Sequence, residues 1–274
     1  MRKVAYFLLF NLVFFFNCNF APSEKTDISP DAVSSGSKKI TDSIQISYFD
    51  VEPHIFFDKN TGKLSGALFD LIEKYISPEM GIKFLWDSQP TTIARQLESL
   101  KSKDYYSVAL LVDTPERKKI YKYSDEPYFF SKSVITVRSD FPLKKIKNID
   151  SIADIKIGYA DNAFITPFVN NTKINFDFIY EPNYHEVNFK KLLAKRIDGV
   201  YAPDKAALLA ISRRMNITDK IRIIDIPEKS IPFYVVFSKN STEIAYKFNK
   251  TAKKLNIQKL YLLLLNNYIN SSQL

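Results

Sequence analysis

Cysteine, glycine and histidine are all scarce in this sequence of 274 residues. The single cysteine, Cys18, has no partner for an internal disulfide, which excludes a disulfide-stapled fold. Only six glycines are present, too few for a collagen-like or glycine-rich architecture. The two histidines, His54 and His185, have no Ser, Cys or metal-ligand companion at a recognised motif spacing, and no phosphate-binding loop occurs. We therefore expect neither a metal nor another cofactor.

Blocks of basic residues are also absent, although the formal net charge is +9. The lysines are spread along the chain with acidic residues between them, and no nucleic-acid recognition motif is present. This pattern argues against a nucleic-acid partner. Apolar and aromatic residues make up 46% of the chain, which is enough for folded cores and excludes general disorder. The length allows one large domain or two modest ones.

The first residues have the layout of an export signal. Arg2 and Lys3 precede an apolar run, Val4 to Phe16, which is shorter than the roughly 20 residues that a membrane-spanning helix needs. We therefore predict a signal peptide over residues 1–17. Cys18 follows this run, in a position that resembles the lipobox of bacterial lipoproteins, where the new N-terminal cysteine carries the lipid. The alternative is an ordinary signal peptide that happens to contain a cysteine.

The next segment, residues 18–43, is rich in Ser, Asp, Lys and Pro and shows no apolar period. This composition is typical of a flexible tether. If Cys18 is lipidated, the tether would hold the folded part of the protein at a short distance from the membrane.

From Ile44 onward, short β-like runs alternate with helical ones, which predicts an α/β fold. The predicted strands are IQISYF, IKFLW, YSVALLV, SVITVRS, ADIKIGYA, FDFIYEP, DGVYA, IRIIDI and IPFYVVFSK, with a hairpin in HIFFDKNTGKLSG. The predicted helices are ALFDLIEKYI, TIARQLESLKS, EVNFKKLLAKR and DKAALLAISRRM. Residues 242–269 form one long amphipathic stretch, predicted to be a core-facing terminal helix. The series of strands and helices therefore occurs twice.

In their order and spacing, several stretches resemble one known family, the family 3 extracellular solute-binding proteins. The stretches that carry the resemblance are EPHIFFDKNTGKLSGALFDLIEKY, TPERKKIYKYSDEPYFFSKSVITVRSD, IDSIADIKIGYA, LLAKRIDGVYAPDKAALLA and IPFYVVFSKNSTEIAYKFNKTAKKL. The resemblance implies a bilobed periplasmic-binding-protein fold of type II. Lobe I would comprise residues 44–136 and 232–274, and lobe II residues 137–231. The two crossings between the lobes would lie near Val134 to Val137 and near Phe233 to Val236.

The arginine of the sequence T-P-E-R is the first residue to which the resemblance assigns a role. In amino-acid-binding members of the family, this arginine binds the α-carboxylate of the ligand, which implies the same role for Arg117. A guanidinium is always charged, and its planar fork can donate two parallel hydrogen bonds to a carboxylate. The alternative is a surface arginine paired with Glu116 or Asp113.

Other positions depart from the family's pattern. Leu110, Leu111 and Val112 stand where the family places small hydroxyl residues or glycine. The family's aspartate for the ligand's α-amino group falls on Pro203, and Asp204 follows one place later. Asp204 therefore either faces the ligand or caps the helix that begins after it.

The second lobe and the first strand show further departures. The threonine and glycine expected after KIGY are replaced by ADNAF, in which Asp161 and Asn162 are either polar contacts or turn formers. The usual cleft aromatic falls on Val51, with two aromatic residues close by. We expect His54 to pack in the interior and His185 to be exposed. The candidate ligand-binding residues are Arg117, Thr114, Val112, Tyr48, Phe49, Glu52, Asp161, Asn162 and Asp204.

The resemblance implies an exported, monomeric protein, periplasmic or at the cell surface, that closes two lobes around a small ligand. The ligand would be an amino acid or another small carboxylate, and the partner would be the permease of an ABC importer. No catalysis is implied. Two alternatives stay open: a sensory or surface lipoprotein without an importer, and a dehydratase-like enzyme acting on a cyclic acid. In the enzyme, Asp161, Asp204 or Glu52 would be the proton donor.

Overall fold

The computed structural model describes residues 42–59, 61–171 and 173–271. The predicted signal peptide, Cys18 and nearly all of the predicted tether lie outside these residues. The described residues form one compact unit built around two β-sheets. The alternation of short strands and helices that was predicted from Ile44 onward is confirmed.

The strands and helices follow the apolar periods of the sequence closely. The strands are β1 (Ser43–Ser47), β2 (Phe56–Asp58), β3 (Lys63–Ser65), β4 (Lys83–Trp86), β5 (Tyr106–Leu111), β6 (Lys122–Tyr123), β7 (Phe129–Ser131), β8 (Val134–Arg138), β9 (Lys156–Ala160), β10 (Asn175–Ile179), β11 (Gly199–Ala202), β12 (Ile221–Asp225) and β13 (Ile231–Phe237). The helices are α1 (Ala67–Leu71), α2 (Ser77–Met80), α3 (Ile93–Ser102), α4 (Pro115–Ile120), α5 (Tyr184–Leu193), α6 (Lys205–Arg214), α7 (Thr242–Leu255) and α8 (Ile257–Ser271). A π-helical turn, Ile72–Ile76, joins α1 to α2.

The first sheet has the order β4-β1-β5-β13-β6, and β7 also pairs with β13. Strands β4, β1 and β5 run parallel to one another, and β13 runs antiparallel to β5. Five of the six residues of β5 are buried, as expected for a parallel strand that is covered on both faces. The predicted hairpin is present as β2 and β3, which form a small sheet of their own.

The second sheet has the order β10-β9-β11-β8-β12. Strand β8 is antiparallel to both β11 and β12, so residues 134–136 belong with this sheet although the predicted lobe boundary follows residue 136. Strand β13 belongs wholly to the first sheet. The chain therefore passes between the sheets at residues 132–133 and 226–230, a few residues before the predicted crossings. We use lobe I for the elements around the first sheet and lobe II for those around the second.

The C-terminal stretch was predicted as one helix, and this prediction is wrong. Asn256 adopts a left-handed backbone conformation (φ 50°) and separates α7 from α8. The predicted core-facing side of the stretch is confirmed, because Tyr261, Leu264 and Leu265 are buried in the core of lobe I. Among the described residues, no helix combines the length and apolar character required to cross a membrane.

Candidate functional site

A small cavity lies between the two lobes and has a volume of about 60 Å³. We call it the apolar cavity because most of its walls are aliphatic or aromatic. Its lining residues are Phe49, Val51, Ile93, Leu110, Leu111, Val112, Arg117, Tyr159, Ala163, Phe164, Tyr184, His185, Pro203, Asp204, Ala207 and Phe233. Lobe I contributes the end of β5 and the start of α4, and lobe II contributes the ends of β9 and β11 and the starts of α5 and α6.

Of the residues that the structure describes, Arg117 is the only Lys or Arg in this lining, and local structure holds it there. Helix α4 begins after Thr114, whose hydroxyl oxygen accepts a hydrogen bond from the Arg117 backbone N–H at 3.1 Å. The guanidinium donates from Nη1 to the carbonyl oxygen of Val112 at 3.2 Å. It also donates from Nη2 to the carbonyl oxygen of Asn162 in lobe II at 2.9 Å. Arg117 therefore bridges the two lobes through neutral partners.

The acids beside Arg117 in the sequence do not pair with it. Asp113 forms an ion pair with Lys118 instead, and Glu116 is exposed to solvent. Within the part of the chain that the structure describes, no carboxylate lies within ion-pair distance of the Arg117 guanidinium. The alternative of a surface arginine paired with Glu116 or Asp113 is therefore wrong.

The end of β5 brings a strained backbone to the cavity. Leu110 has φ 61°, a left-handed conformation that is rare for a residue with a bulky side chain. Its N–H donates a hydrogen bond to the Tyr128 hydroxyl at 3.1 Å, and the pairing of β5 with β13 shifts register at the same point. Strain of this kind is found most often at functional sites. Just after this point the Val112 carbonyl oxygen accepts from Arg117, and Leu110, Leu111 and Val112 all line the cavity.

Asp204 is buried, with 6% of its surface exposed, and it caps α6. One oxygen, Oδ1, accepts from the Ser131 hydroxyl at 2.6 Å and from the Ala206 N–H at 3.2 Å. The other, Oδ2, accepts from His54 Nε2 at 2.6 Å and from the Ala207 N–H at 3.1 Å. Burial by itself raises the pKa of Asp204, but the His54 charge and the hydrogen bonds outweigh burial and lower the pKa overall.

His54 connects this carboxylate to the interior of lobe I. It is completely buried, and its Nδ1 atom is hydrogen-bonded to the Tyr261 hydroxyl of α8. Gly66 makes room for the loop that carries it, since a Cβ atom there would lie 2.4 Å from the His54 carbonyl oxygen. The expectation of a packing role for His54 left out its pairing with Asp204, which crosses from lobe I to lobe II. The sequence offered only one indication of this pair, namely an acid and a histidine to which it assigned no other partner.

His185 was expected to be exposed, and this expectation is wrong. Only 4% of its surface is accessible, and its Nδ1 atom has no hydrogen-bond partner. Burial lowers the pKa of His185 to about 4; the Asp204 charge opposes this shift and His54 adds to it. His185 is therefore neutral at neutral pH. It lines the apolar cavity and also a second, larger space on its other side.

This larger space, which we call the charged groove, has a volume of about 600 Å³. Its charged lining residues are Asp50, Glu52, Asp58, Lys59, Glu186, Arg213 and Arg214. Arg214 of lobe II lies 3.0 Å from Glu52 of lobe I and 3.5 Å from Glu186, although Glu52 Oε2 receives no aligned hydrogen bond. Burial raises the pKa of Glu52, and the Arg214 charge opposes this only in part. Glu52 thus belongs to the groove and not to the apolar cavity.

The remaining predicted site residues are divided between the cavity and its surroundings. Val112 and Phe49 line the cavity, whereas Tyr48 is buried in the core of lobe I with its ring edge against Trp86. Asp161 lies outside the cavity and accepts a hydrogen bond from the Asn162 side chain. Asn162 itself has φ 57°, a turn conformation, and contributes its carbonyl oxygen to Arg117. Within the described residues, no three His, Cys, Asp or Glu side chains are grouped as a metal site would require.

Comparison with solved structures shows the same fold. An ancestral arginine-binding protein bound to arginine is 23% identical, with a TM-score of 0.69 over 83% of this chain and 98% of that one. An amino-acid ABC transporter substrate-binding protein from Streptococcus pneumoniae, bound to L-arginine, is 17% identical, with a TM-score of 0.70 over 84% and 96% of the two chains. An ancestral amino-acid-binding protein, described as a precursor of cyclohexadienyl dehydratase, is 21% identical, with a TM-score of 0.66 over 83% and 95%.

The comparison with family models agrees with the resemblance seen in the sequence. The model of the bacterial extracellular solute-binding proteins, family 3, matches residues 46–271, which include both lobes and almost all described residues. No curated protein matches the chain. With two sheets, two crossings and a cavity between the lobes, the chain belongs to the bacterial extracellular solute-binding proteins of family 3 and has their bilobed type II periplasmic-binding fold.

Proposed function

We propose that the protein traps a small carboxylate in the apolar cavity and delivers it to an ABC importer. The observation that supports this proposal is the environment of the Arg117 side chain. Its guanidinium reaches the cavity, bridges the lobes and has no carboxylate partner among the described residues. A cation in such a position favours an anionic ligand, and a guanidinium suits a carboxylate because it donates two parallel hydrogen bonds.

Binding and lobe closure are coupled in this proposal. Arg117 donates to Val112 in its own lobe and to Asn162 in the other lobe, so a carboxylate at this point contacts groups that separate when the lobes open. The crossings at residues 132–133 and 226–230 would act as the hinge. A ligand that binds the closed form more tightly shifts the population toward it, and the closed form presents a different surface to the permease.

An enzymatic function receives less support from the same site. Three acids were considered as proton donors, and none of them is free in the cavity. Asp204 has its oxygens occupied by His54, Ser131 and the start of α6, while Glu52 faces Arg214 in the charged groove. Asp161 lies outside the cavity and interacts with Asn162. We therefore propose binding without turnover, although one structural relative is named as the precursor of a dehydratase.

A thermal-shift screen of the purified protein tests the ligand proposal. The panel contains amino acids, small aliphatic acids, cyclic acids and oligopeptides. At a hundredfold excess over its Kd, a ligand of the folded state adds about 2.7 kcal/mol to the free energy of unfolding. We expect at least one carboxylate to raise the Tm, and Arg117→Gln to weaken its binding by about 10- to 150-fold.

Lys119→Gln is the matched control for this substitution. Lys119 lies on the same helix and is exposed, so loss of its charge should leave binding unchanged. A complete absence of shifts, or a shift that survives Arg117→Gln, would contradict the proposal.

Two parts of the proposal, the lipid anchor and the importer, concern groups that lie outside the described residues or outside the chain. We propose that Cys18 carries a lipid that holds the protein at the membrane, and Cys18→Ser should then move it from the membrane fraction to the soluble exported fraction. Neighbouring permease and ATPase genes would support import, whereas an isolated gene would favour a sensory or surface lipoprotein.

A further inference from the structure

The acid in the apolar cavity has no free acceptor. Among the described residues, Asp204 is the only carboxylate in the lining, and its two oxygens accept four hydrogen bonds from Ser131, His54 and the first N–H groups of α6. A carboxylate has about four lone-pair sites, so these contacts use all of them. His54 also occupies the position next to Asp204 that a ligand cation would need.

Other acids do not supply the anionic partner that Asp204 cannot offer to a ligand. Glu52, Glu186 and Asp50 line the charged groove on the far side of His185, and none of them lines the apolar cavity. A ligand ammonium group inside the cavity would therefore lose its water without gaining an anionic partner, which is strongly unfavourable.

The environment of His185 shows that a positive charge at the cavity wall is unfavourable. Its imidazole lines the cavity, is almost completely buried and has an unpaired Nδ1 atom. Burial lowers its pKa to about 4 even though Asp204 is close enough to oppose the shift. An ammonium group that replaced water at the same wall would meet the same penalty.

The remaining walls set the size and polarity of the ligand. They are aliphatic and aromatic on both lobes, with Leu110 and Leu111 from lobe I and Ala163 and Phe164 from lobe II. The volume of about 60 Å³ is well below the roughly 150 Å³ of an apolar cavity that holds benzene. The space suits a short aliphatic chain better than an aromatic ring.

We propose that the site selects short apolar monocarboxylates that lack an α-ammonium group, such as straight or branched acids of four or five carbons. This inference rests on the proposed function, because it needs Arg117 to bind the carboxylate. The carboxylate contacts Arg117, the hydrocarbon chain fills the cavity, and Asp204 stays paired with His54. Asp204 thereby excludes the α-amino acid that has the same carbon skeleton.

Matched pairs of ligands test this inference by isothermal titration calorimetry. The pairs are butanoate with L-2-aminobutanoate and 3-methylbutanoate with L-valine, and the members of each pair differ only in the α-ammonium group. We expect the acids to bind and each amino acid to bind about tenfold more weakly or worse. Arg117→Gln should abolish the difference by removing binding of the acids, whereas Lys119→Gln should preserve it.

The possible failures are distinguishable. Equal or tighter binding of L-2-aminobutanoate or L-valine would overturn the ligand class and leave the proposed function intact. If neither member of either pair binds, the ligand class is overturned as well. In that case the wider thermal-shift panel decides whether any carboxylate binds through Arg117, and therefore whether the proposed function also fails.

Discussion

The apolar cavity and the charged groove both border His185, and at each of them an acid of one lobe faces a basic side chain of the other lobe. Asp204 pairs with His54 at the cavity, and Glu52 pairs with Arg214 at the groove. Both acids are desolvated, yet the pKa of Asp204 is lowered and the pKa of Glu52 is raised. At Asp204 the His54 charge and four accepted hydrogen bonds together outweigh burial, whereas at Glu52 the Arg214 charge opposes burial only in part and Oε2 accepts no aligned hydrogen bond.

The two spaces also differ in size, and the larger one is not the one that we propose as the binding site. The groove has about ten times the volume of the cavity, at about 600 Å³ against 60 Å³. Its acids face cations that are half-exposed, as Arg214 is, so water can solvate these charges without a ligand. The cavity has apolar walls and a cation without a carboxylate partner among the described residues. We therefore place the ligand in the smaller space.

The largest effect is expected when the buried pair at the cavity is broken. Asp204→Asn should lower the free energy of unfolding by about 3 to 5 kcal/mol, because His54 then loses its buried anionic partner. Asparagine is also a good N-cap, so the loss would report on the pair and not on the start of α6. Urea unfolding followed by circular dichroism measures it.

Asp225→Asn provides the same chemical change at an exposed site. Asp225 pairs with Lys205, which begins α6, and both side chains are more than a third exposed. A change of no more than about 1 kcal/mol is expected. If the two substitutions had equally small effects, the buried pair would contribute no more to the stability of the fold than an exposed pair does.

The next largest effect is expected in the pH dependence of the free energy of unfolding, and it comes from His185. In the unfolded chain this residue binds a proton below about pH 6.5, whereas in the folded protein its pKa is about 4. The unfolded state therefore binds more protons between these values, and stability falls as the pH falls through this window. The slope from this group is about 1.4 kcal/mol per pH unit at its steepest.

His185→Phe should remove this slope. The test compares the free energy of unfolding of the two proteins from pH 7 to pH 4, and the difference between them should shrink or reverse sign as acid is added. The lowered pKa of Asp204 acts in a separate window, because its stabilisation is lost only below the ordinary range near pH 4. Parallel pH profiles for wild type and variant would show that His185 titrates normally.

The smallest effect is expected in the charged groove. The raised pKa of Glu52 means that its ionised form is less favourable in the folded protein than in the unfolded chain. Glu52→Gln should therefore be neutral or slightly stabilising at pH 7, within about 1 kcal/mol. Arg214→Ala should be slightly destabilising, because it removes the charge that opposes the shift. A loss above about 2 kcal/mol for Glu52→Gln would erase the contrast between groove and cavity.

The sequence predicted most of the strands and helices, and the place of Arg117 in the fold has a local reason as well. Thr114, Pro115 and the helix that follows form an N-terminal capping pattern that needs no distant contact, and it holds Arg117 at a defined place after β5. The same holds for Asp204 as the cap of α6. The break at Asn256 was missed because the apolar period continues on both sides of it, and only its backbone conformation ends α7.

The roles of the histidines were not predictable in this way. His185 belongs to the charged-looking stretch NYHEV, and its burial depends on lobe I covering the start of α5. Tyr48 and Phe49 are adjacent, and only the direction of the chain after β1 decides that Phe49 faces the cavity while Tyr48 enters the core.

By itself the sequence determined the family, the order of the elements and the arginine at the start of α4, because local propensity, capping and apolar period act over a few residues. Only the tertiary structure decided which charges meet. His54 and Asp204 are 150 residues apart in the chain and form a hydrogen bond of 2.6 Å across the lobes. Arg117 remains without such an anionic partner in the described structure. Such pairing depends on how the two lobes close on each other, and no short stretch of sequence carries that information.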